Sequence, residues 1–469
     1  MIIGSLARAG ETTFTLEAPT IVGFPAAHFP TQVAAADLDG NGTVDLVVPG
    51  RDVDGLVYVF LGNGDATFAA PTFFDVGGQT DWCELRDVNA DGKIDALFAV
   101  RSVPGRLAVA FGNGDGTFAE PPLTLPAGRE PRGLAADDFD GDGDIDAVVL
   151  DYSGGALQLF LNDGAGGFAP AQRERLNEYL GGLSLPQQLS SGDLDGDGRA
   201  DLVATVIGGG RIDLLHNLGG AGANGVLFDE ERAQRPNQVE NQAPGIPNSV
   251  LADIDGDGDL DVVTAYILIG VPQRFAVMLN SDGSFPTTLD FVSTDNAVAW
   301  TPAVADLDGD GDLDVIMGTA LPGQLVLHAN LGSGSGGSGS GGSGSGGSGS
   351  GGSDNGGSAD GGLAFGAPQV IAPATFFRFV LPVDLDGDGA IDLVAADAPS
   401  SQLFVFRNLT PQGAGGVAGG AAEDIVGNAT GAKGEWGPGA KTPRPQVSDR
   451  DGDGAIDGTD LAIQLGGLR

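Results

Sequence analysis

The sequence predicts an all-β protein, a seven-bladed propeller of four-stranded antiparallel blades, on three observations. A nine-residue pattern, D-x-[DN]-x-[DN]-G-x-x-D with Gly or Ala at its fourth position, occurs seven times between residues 37 and 392 of the 469. Its copies begin at Asp37, Asp87, Asp138, Asp193, Asp253, Asp306 and Asp384, spaced by 50, 51, 55, 60, 53 and 78 residues. A period near 50 is that of a propeller blade and exceeds most helical repeats. The third observation is that the two chain ends carry complementary parts of one repeat.

Each period reads as four short strands. One apolar stretch precedes the motif (VAAADLDG, GLAADDFDG) and another follows it (DLVVPG, DAVVL, DVIMGT). A third (LVYVFLG, RLAVAFG, QLFVFRN) leads through a Gly-rich turn such as GNGDGTF into a Phe-bearing fourth segment. Strands joined by Gly, Asp and Asn turns make one antiparallel blade. The seventh repeat ends at LFVFRNL without a fourth segment, whereas residues 14–22, FTLEAPTIV, show that pattern ahead of the first motif. The N-terminal strand is therefore expected to complete the last blade, removing free sheet edges.

The propeller is expected over 1–410, interrupted at 332–362 by a Gly/Ser-rich tract. That insertion inflates the last spacing and reads as a solvated loop with a reach of roughly 30 Å. Residues 411–447 are Gly/Ala/Pro-rich and read as a linker, and 448–469 hold a separate acidic loop.

Lys plus Arg number 22 against 64 Asp plus Glu, a formal charge of −42. Such a chain does not bind nucleic acid or anionic membrane unaided, and a cation is the natural partner. No apolar run approaches the ~20 residues that span a bilayer, so membrane insertion is not expected. The single cysteine, Cys83, excludes an internal disulfide framework and a Cys-based zinc cluster, and reads as a small core residue. The opening MIIGSLARAGETTFTL lacks the ~7 to 15 residue apolar segment of a secretory signal. A secreted form would carry its leader outside this chain.

In the first motif Asp37, Asp39, Asn41 and Asp45 set side-chain oxygens around one point, and Thr43 offers its carbonyl. The same places are held by Asp87, Asn89, Asp91, Lys93 and Asp95, then Asp138, Asp140, Asp142, Asp144 and Asp146, then Asp193, Asp195, Asp197, Arg199 and Asp201. They continue with Asp253, Asp255, Asp257, Asp259 and Asp261, Asp306, Asp308, Asp310, Asp312 and Asp314, and Asp384, Asp386, Asp388, Ala390 and Asp392. The sixth-position glycine permits the left-handed turn such a loop needs. Five or more oxygens in a flexible loop suit Ca2+ better than Mg2+, and transition metals would want imidazole or thiolate. About seven Ca2+ are expected in the propeller. The twelfth positions, Val48 to Ala395, carry no ligand, unlike an EF-hand. The C-terminal loop, Asp449, Asp451, Asp453, Ala455 (carbonyl), Asp457 and Asp460, is EF-hand-like and could take one more ion.

The array of D-x-D-x-D-G-x-x-D motifs with FLGNGDATF-type turns resembles the FG-GAP/VCBS family, the repeat of the seven-bladed propeller in integrin alpha subunits and many secreted bacterial proteins. The resemblance covers residues 14–409. It implies an extracellular or cell-surface protein that binds Ca2+ in the loop between the first two strands of a blade and its ligand on the opposite face. Asn41 and Asn89 depart from the pattern and lower the ligand charge. The tail is similar to a dockerin-type segment, with one loop where dockerins usually carry two, and implies a cohesin-like partner.

The expected function is adhesion or binding of a protein or glycan ligand, without catalysis. The alternatives are a Ca2+-dependent carbohydrate-active enzyme such as a polysaccharide lyase, or a cell-surface spacer. There is no nucleophile elbow, P-loop or dinucleotide fingerprint. His216 and His328 fall at similar third-strand ends and read as structural. The first strands run ~17 Å toward their loops, so their starting ends meet on the opposite face. Positions five and six before the motifs, Asp81, Trp82, Arg132, Gln187, Gln188, Asn248, Trp300 and Arg378, form the candidate ligand surface.

Overall fold

An unbroken apolar run needs cover on both faces, and the segment after each motif has it. Leu46, Val47 and Val48, like Leu202, Val203 and Ala204, are fully buried. The computed structural model describes residues 14–52, 54–176, 186–206, 210–219, 228–231, 245–266, 274–293, 298–332 and 363–410. Among these every helix or strand is a strand. The insertion beyond Gly332, the linker and the C-terminal loop with its six candidate ligands lie outside the described residues.

Repeats one to five each form a four-stranded antiparallel sheet in chain order. In the second, Gln79–Arg86, Asp95–Arg101, Arg106–Ala110 and Leu123–Pro126 pair through Arg86↔Asp95, Ala96↔Ala110 and Leu107↔Leu125. Burial falls from the first strand to the fourth: Ala34, Ala35 and Ala36 are all buried, whereas in Thr72–Asp75 only Phe74 is. The small first-strand residues let neighbouring sheets approach, and first strands of consecutive repeats touch from the first repeat to the seventh. Phenylalanines fill the wedges between sheets, Phe74 with Phe98 and Phe118 between repeats one and two, Phe139 with Phe228 between three and four.

Repeats six and seven share one six-stranded sheet, ordered Thr20–Gly23, Gln402–Phe406, Asp392–Asp397, Gln369–Val383, Asp314–His328 and Val298–Ala305. Asp314–His328 pairs with Val298–Ala305 up to Ala320 and with Gln369–Val383 beyond it, and Gln369–Val383 changes partner again between Phe376 and Phe377. The run APATFFRFV contains no glycine turn, so the chain passes from one repeat to the next without leaving strand geometry. Thr20–Gly23 pairs with the last repeat, from Thr20↔Val405 to Gly23↔Gln402. The N-terminal segment thus lies where its pattern predicts, although its strand is shorter than FTLEAPTIV. Ser401 of the last repeat bonds both the N–H and the carbonyl of His28 in the first.

Candidate functional site

Each acidic motif forms the loop between first and second strands. Its sixth-position glycine is left-handed in all seven copies, from φ +82° at Gly92 to +100° at Gly258. That glycine's N–H donates to the first-position carboxylate in every copy, at 2.8 to 3.0 Å. The fifth-position side-chain oxygen accepts the seventh-position N–H at 2.7 to 3.0 Å. Side-chain oxygens then converge: those of Asp37, Asp39 and Asp45, of Asp138, Asp140 and Asp146, of Asp193, Asp195 and Asp197, and of Asp253, Asp255 and Asp261 lie within 4.8 Å of one another.

The donors are carboxylates and carbonyls, a hard-cation set. Asp193 Oδ1 and Asp255 Oδ1 are buried with no hydrogen-bond partner. A buried unpaired carboxylate oxygen is costly unless a positive charge reaches it, so these residues fit a divalent cation. The loops are not equivalent. Lys93 Nζ stands 3.4 Å from Asp91, Arg199 pairs with Asp197, and Arg407 with Asp386, so the second, fourth and seventh carry some neutralising charge of their own. His216 Nδ1 lies 3.6 Å from Asp201 Oδ2, at the edge of the fourth loop, which its reading as a structural residue did not include. His328 is buried against Phe275, with Nε2 3.0 Å from Ser293 Oγ.

The ninth-position aspartate does more than face the loop centre. In all seven copies one oxygen accepts the N–H of the second motif residue and the other an N–H at the end of the third strand, as when Asp201 takes Leu194 at 3.0 Å and Asn217 at 2.7 Å. Burial, reinforced by the loop's other carboxylates, pushes Asp146, Asp261 and Asp392 up to about 7 and Asp95 to about 6. In five repeats the third-strand donor is an asparagine, and its amide reaches the preceding repeat: Asn162 Nδ2 to Val88 O, Asn217 to Phe139 O, Asn280 to Leu194 O, Asn330 to Ile254 O and Asn408 to Leu307 O. Repeat two has Gly112 there, and the Gly116 N–H takes the role by donating to Leu38 O at 3.2 Å. None of these asparagines is among the residues singled out from the sequence. Their signal is an Asn recurring 16 to 19 residues after the ninth-position Asp.

At the other end of the first strands lies a cavity of about 390 Å³, its open mouth included. Every repeat contributes to it the residue six before its motif: Thr31, Asp81, Arg132, Gln187, Pro247, Trp300 and Arg378. Trp82, Asn248, Phe379 and Arg51 complete the lining. Seven of the eight residues chosen from sequence therefore meet at one place. Gln188 does not. It is fully buried, accepting the Ser249 N–H at 2.8 Å and donating to Ser190 Oγ at 2.7 Å, so its amide is taken up by the neighbouring first strand and by its own. Trp82 packs as core, its Nε1 donating to Glu84 at 3.2 Å and its ring edge-on to Phe379. Trp300 is half-buried, with Arg378 Cζ 5.6 Å from its ring. Arg51 was missed. It stands six residues after Asp45, and the second strand runs antiparallel to the first, which returns it to the cavity end.

Asp81 accepts two bonds from Arg51, with Arg101 at 3.6 Å and Arg378 at 3.7 Å. Burial alone would raise its pKa, yet these guanidinium groups hold it below the usual carboxylate range. Glu130 accepts from Arg101 at 2.7 Å and Arg132 at 2.8 Å.

Four FG-GAP-like repeats are recognised, at residues 87–149, 138–204, 193–264 and 253–317. No curated protein matches the chain. Similar solved structures include a lectin from Agrocybe aegerita that recognises non-reducing terminal N-acetylglucosamine, 22% identical over 73% of this chain and 81% of that one, at a TM-score of 0.47. Others are BBS1N in complex with ARL6DN (13% identical, 85% and 98% covered, TM-score 0.48) and a Lactobacillus plantarum protein (12%, 80% and 96%, TM-score 0.47). The chain thus carries FG-GAP-like repeats on four-stranded antiparallel sheets, an architecture consistent with a β-propeller.

Proposed function

We propose that this chain is a seven-bladed, Ca2+-loaded propeller acting outside the cell as an adhesive or ligand-binding module, with its protein or glycan ligand at the cavity opposite the acidic loops. The observation that carries the reading is the convergence of one equivalent residue from each of seven repeats on one cavity. A ring of seven blades, completed by the N-terminal strand, accounts for that convergence and for the contact of Ser401 with His28. Ca2+ suits the oxygen donors and the orphaned Asp193 and Asp255 oxygens, and the ~mM extracellular pool suits modular sites of this kind. Asp81, neutralised by three guanidinium groups, supports binding rather than proton transfer.

Glycan and protein arrays, run with and without Ca2+ on wild type and Trp300→Ala, test this. The variant is expected to lose at least ~10-fold in affinity, since aromatic anchors dominate such sites, while its Ca2+ content and melting temperature stay near wild type. If Trp300→Ala unfolds the chain, Trp300 belongs to the core and the site assignment fails. Release of an unsaturated sugar product would replace this reading with the lyase one.

A further inference from the structure

The charge of the cavity narrows its ligand, given that the cavity is the ligand site. Four guanidinium groups, Arg51, Arg101, Arg132 and Arg378, stand on it or bonded to its wall, in a chain of formal charge −42. Two carboxylates, Asp81 and Glu130, answer them. Of the neighbouring acids, Asp151 pairs with Arg173, and Asp52 bonds His28, whose pKa burial lowers. The four guanidinium groups and two carboxylates by themselves leave two positive charges in excess at the cavity. Donors are also left over: Arg132 Nε, Arg378 Nε and Gln187 Nε2 are buried without a hydrogen-bond partner, and all three residues line the cavity. Polar groups buried in that state are costly, and a charged acceptor repays more than a neutral one. Burial, followed by the charge of Arg51, lowers Arg378 to about 10, against the pull of Asp81.

We propose that the cavity is an oxyanion site: the ligand inserts a carboxylate, sulfate or phosphate group between Arg132, Arg378 and Gln187. The shared chemistry is a negatively charged oxygen cluster able to accept from guanidinium and amide N–H. A neutral sugar would offer those donors only uncharged, weaker acceptors, and an ammonium group would add like charge.

The test titrates the Ca2+-loaded full chain with glucuronate, glucose 6-sulfate, glucose 6-phosphate and glucose, by calorimetry and by the fluorescence of Trp82 and Trp300. At least one anionic sugar is expected to bind 10-fold or more tightly than glucose, since hydrogen bonds to a charged acceptor are the stronger ones. Which anion wins identifies the group. The preference should shrink as sodium chloride rises and vanish in Arg132→Gln/Arg378→Gln. Equal binding of all four sugars, no binding by any, or a preference that survives the double variant overturns the proposal. The salt titration on wild type decides the matter if the double variant does not fold. The arrays separate the two levels: a ligand lost in Trp300→Ala but indifferent to salt and to the arginine variant keeps the cavity as a binding site and removes the oxyanion. If no ligand depends on Trp300, the cavity reading itself falls.

Discussion

The two ends of the first strands are built on opposite plans. At the loop end nine consecutive residues supply the carboxylate and amide oxygens, and backbone N–H groups of the same loop hold most of them in place, as Gly42 and Thr43 do for Asp37 and Asn41. At the cavity end the donors come from positions as far apart as Thr31 and Arg378, and carboxylates hold guanidinium groups in place across repeats. A local site exists as soon as its turn forms. A site assembled from all seven repeats exists only when the sheets are packed in order. The clasps of Asn162, Asn217, Asn280, Asn330 and Asn408, and the ninth-position aspartates they lean on, link the two plans, because they tie the loops of repeats three to seven to the preceding repeat.

Chelation is expected to have the largest effect. With excess EDTA the stability is expected to fall by about 2.7 kcal/mol per loop, for ions held at 100 times Kd, and calorimetry should show a large drop in melting temperature. An unchanged melting temperature would mean that the loops stand by their backbone bonds alone. Next in size, Asp261→Ala leaves two buried backbone donors, of Ile254 and Asn280, without acceptors. It should cost about 3 kcal/mol, read as a lower denaturation midpoint at constant m, even in saturating Ca2+. A loss below ~0.5 kcal/mol would reduce that aspartate to an ion ligand.

Glu84 lies midway between the two ends. Burial pushes it up to about 7, against the weaker pull of Arg86. A raised carboxyl pKa contributes stability that is full below the unfolded value near 4.5 and is lost as pH rises through about 7. Glu84→Gln should therefore match wild type near pH 5 and exceed it at pH 8 by about 2 kcal/mol; equal pH profiles would show that Arg86 compensates the charge fully. The smallest effect concerns the second loop, where Ala90 adopts φ +56° at a place most repeats give to glycine. Ala90→Gly is expected to add about 1 kcal/mol of stability without altering ligand binding. No gain in midpoint would show that the loop relaxes elsewhere.

The position and turn geometry of the acidic loops were legible in sequence, because a left-handed glycine and carboxylates spaced to accept nearby backbone N–H groups are local requirements that nine residues satisfy or fail by themselves. The strand pattern was legible for the same reason, along with the pairing of the N-terminal segment with the last repeat, since period and burial alternate with the chain. Periodicity also located most of the cavity wall. It did not separate Gln187 from Gln188, whose opposite faces depend on how the strand enters the sheet, nor did it show that Trp82 packs as core while Trp300 stays half-exposed. Arg51 and the asparagine clasps were out of reach until neighbouring strands were placed, because their partners lie on other strands or other repeats. The residue types and their spacing were determined by sequence alone. Which charges face each other, and which donors stay unpaired, was decided by the packing of the repeats against one another, since Coulomb and hydrogen-bond energies depend on distances in space and not along the chain.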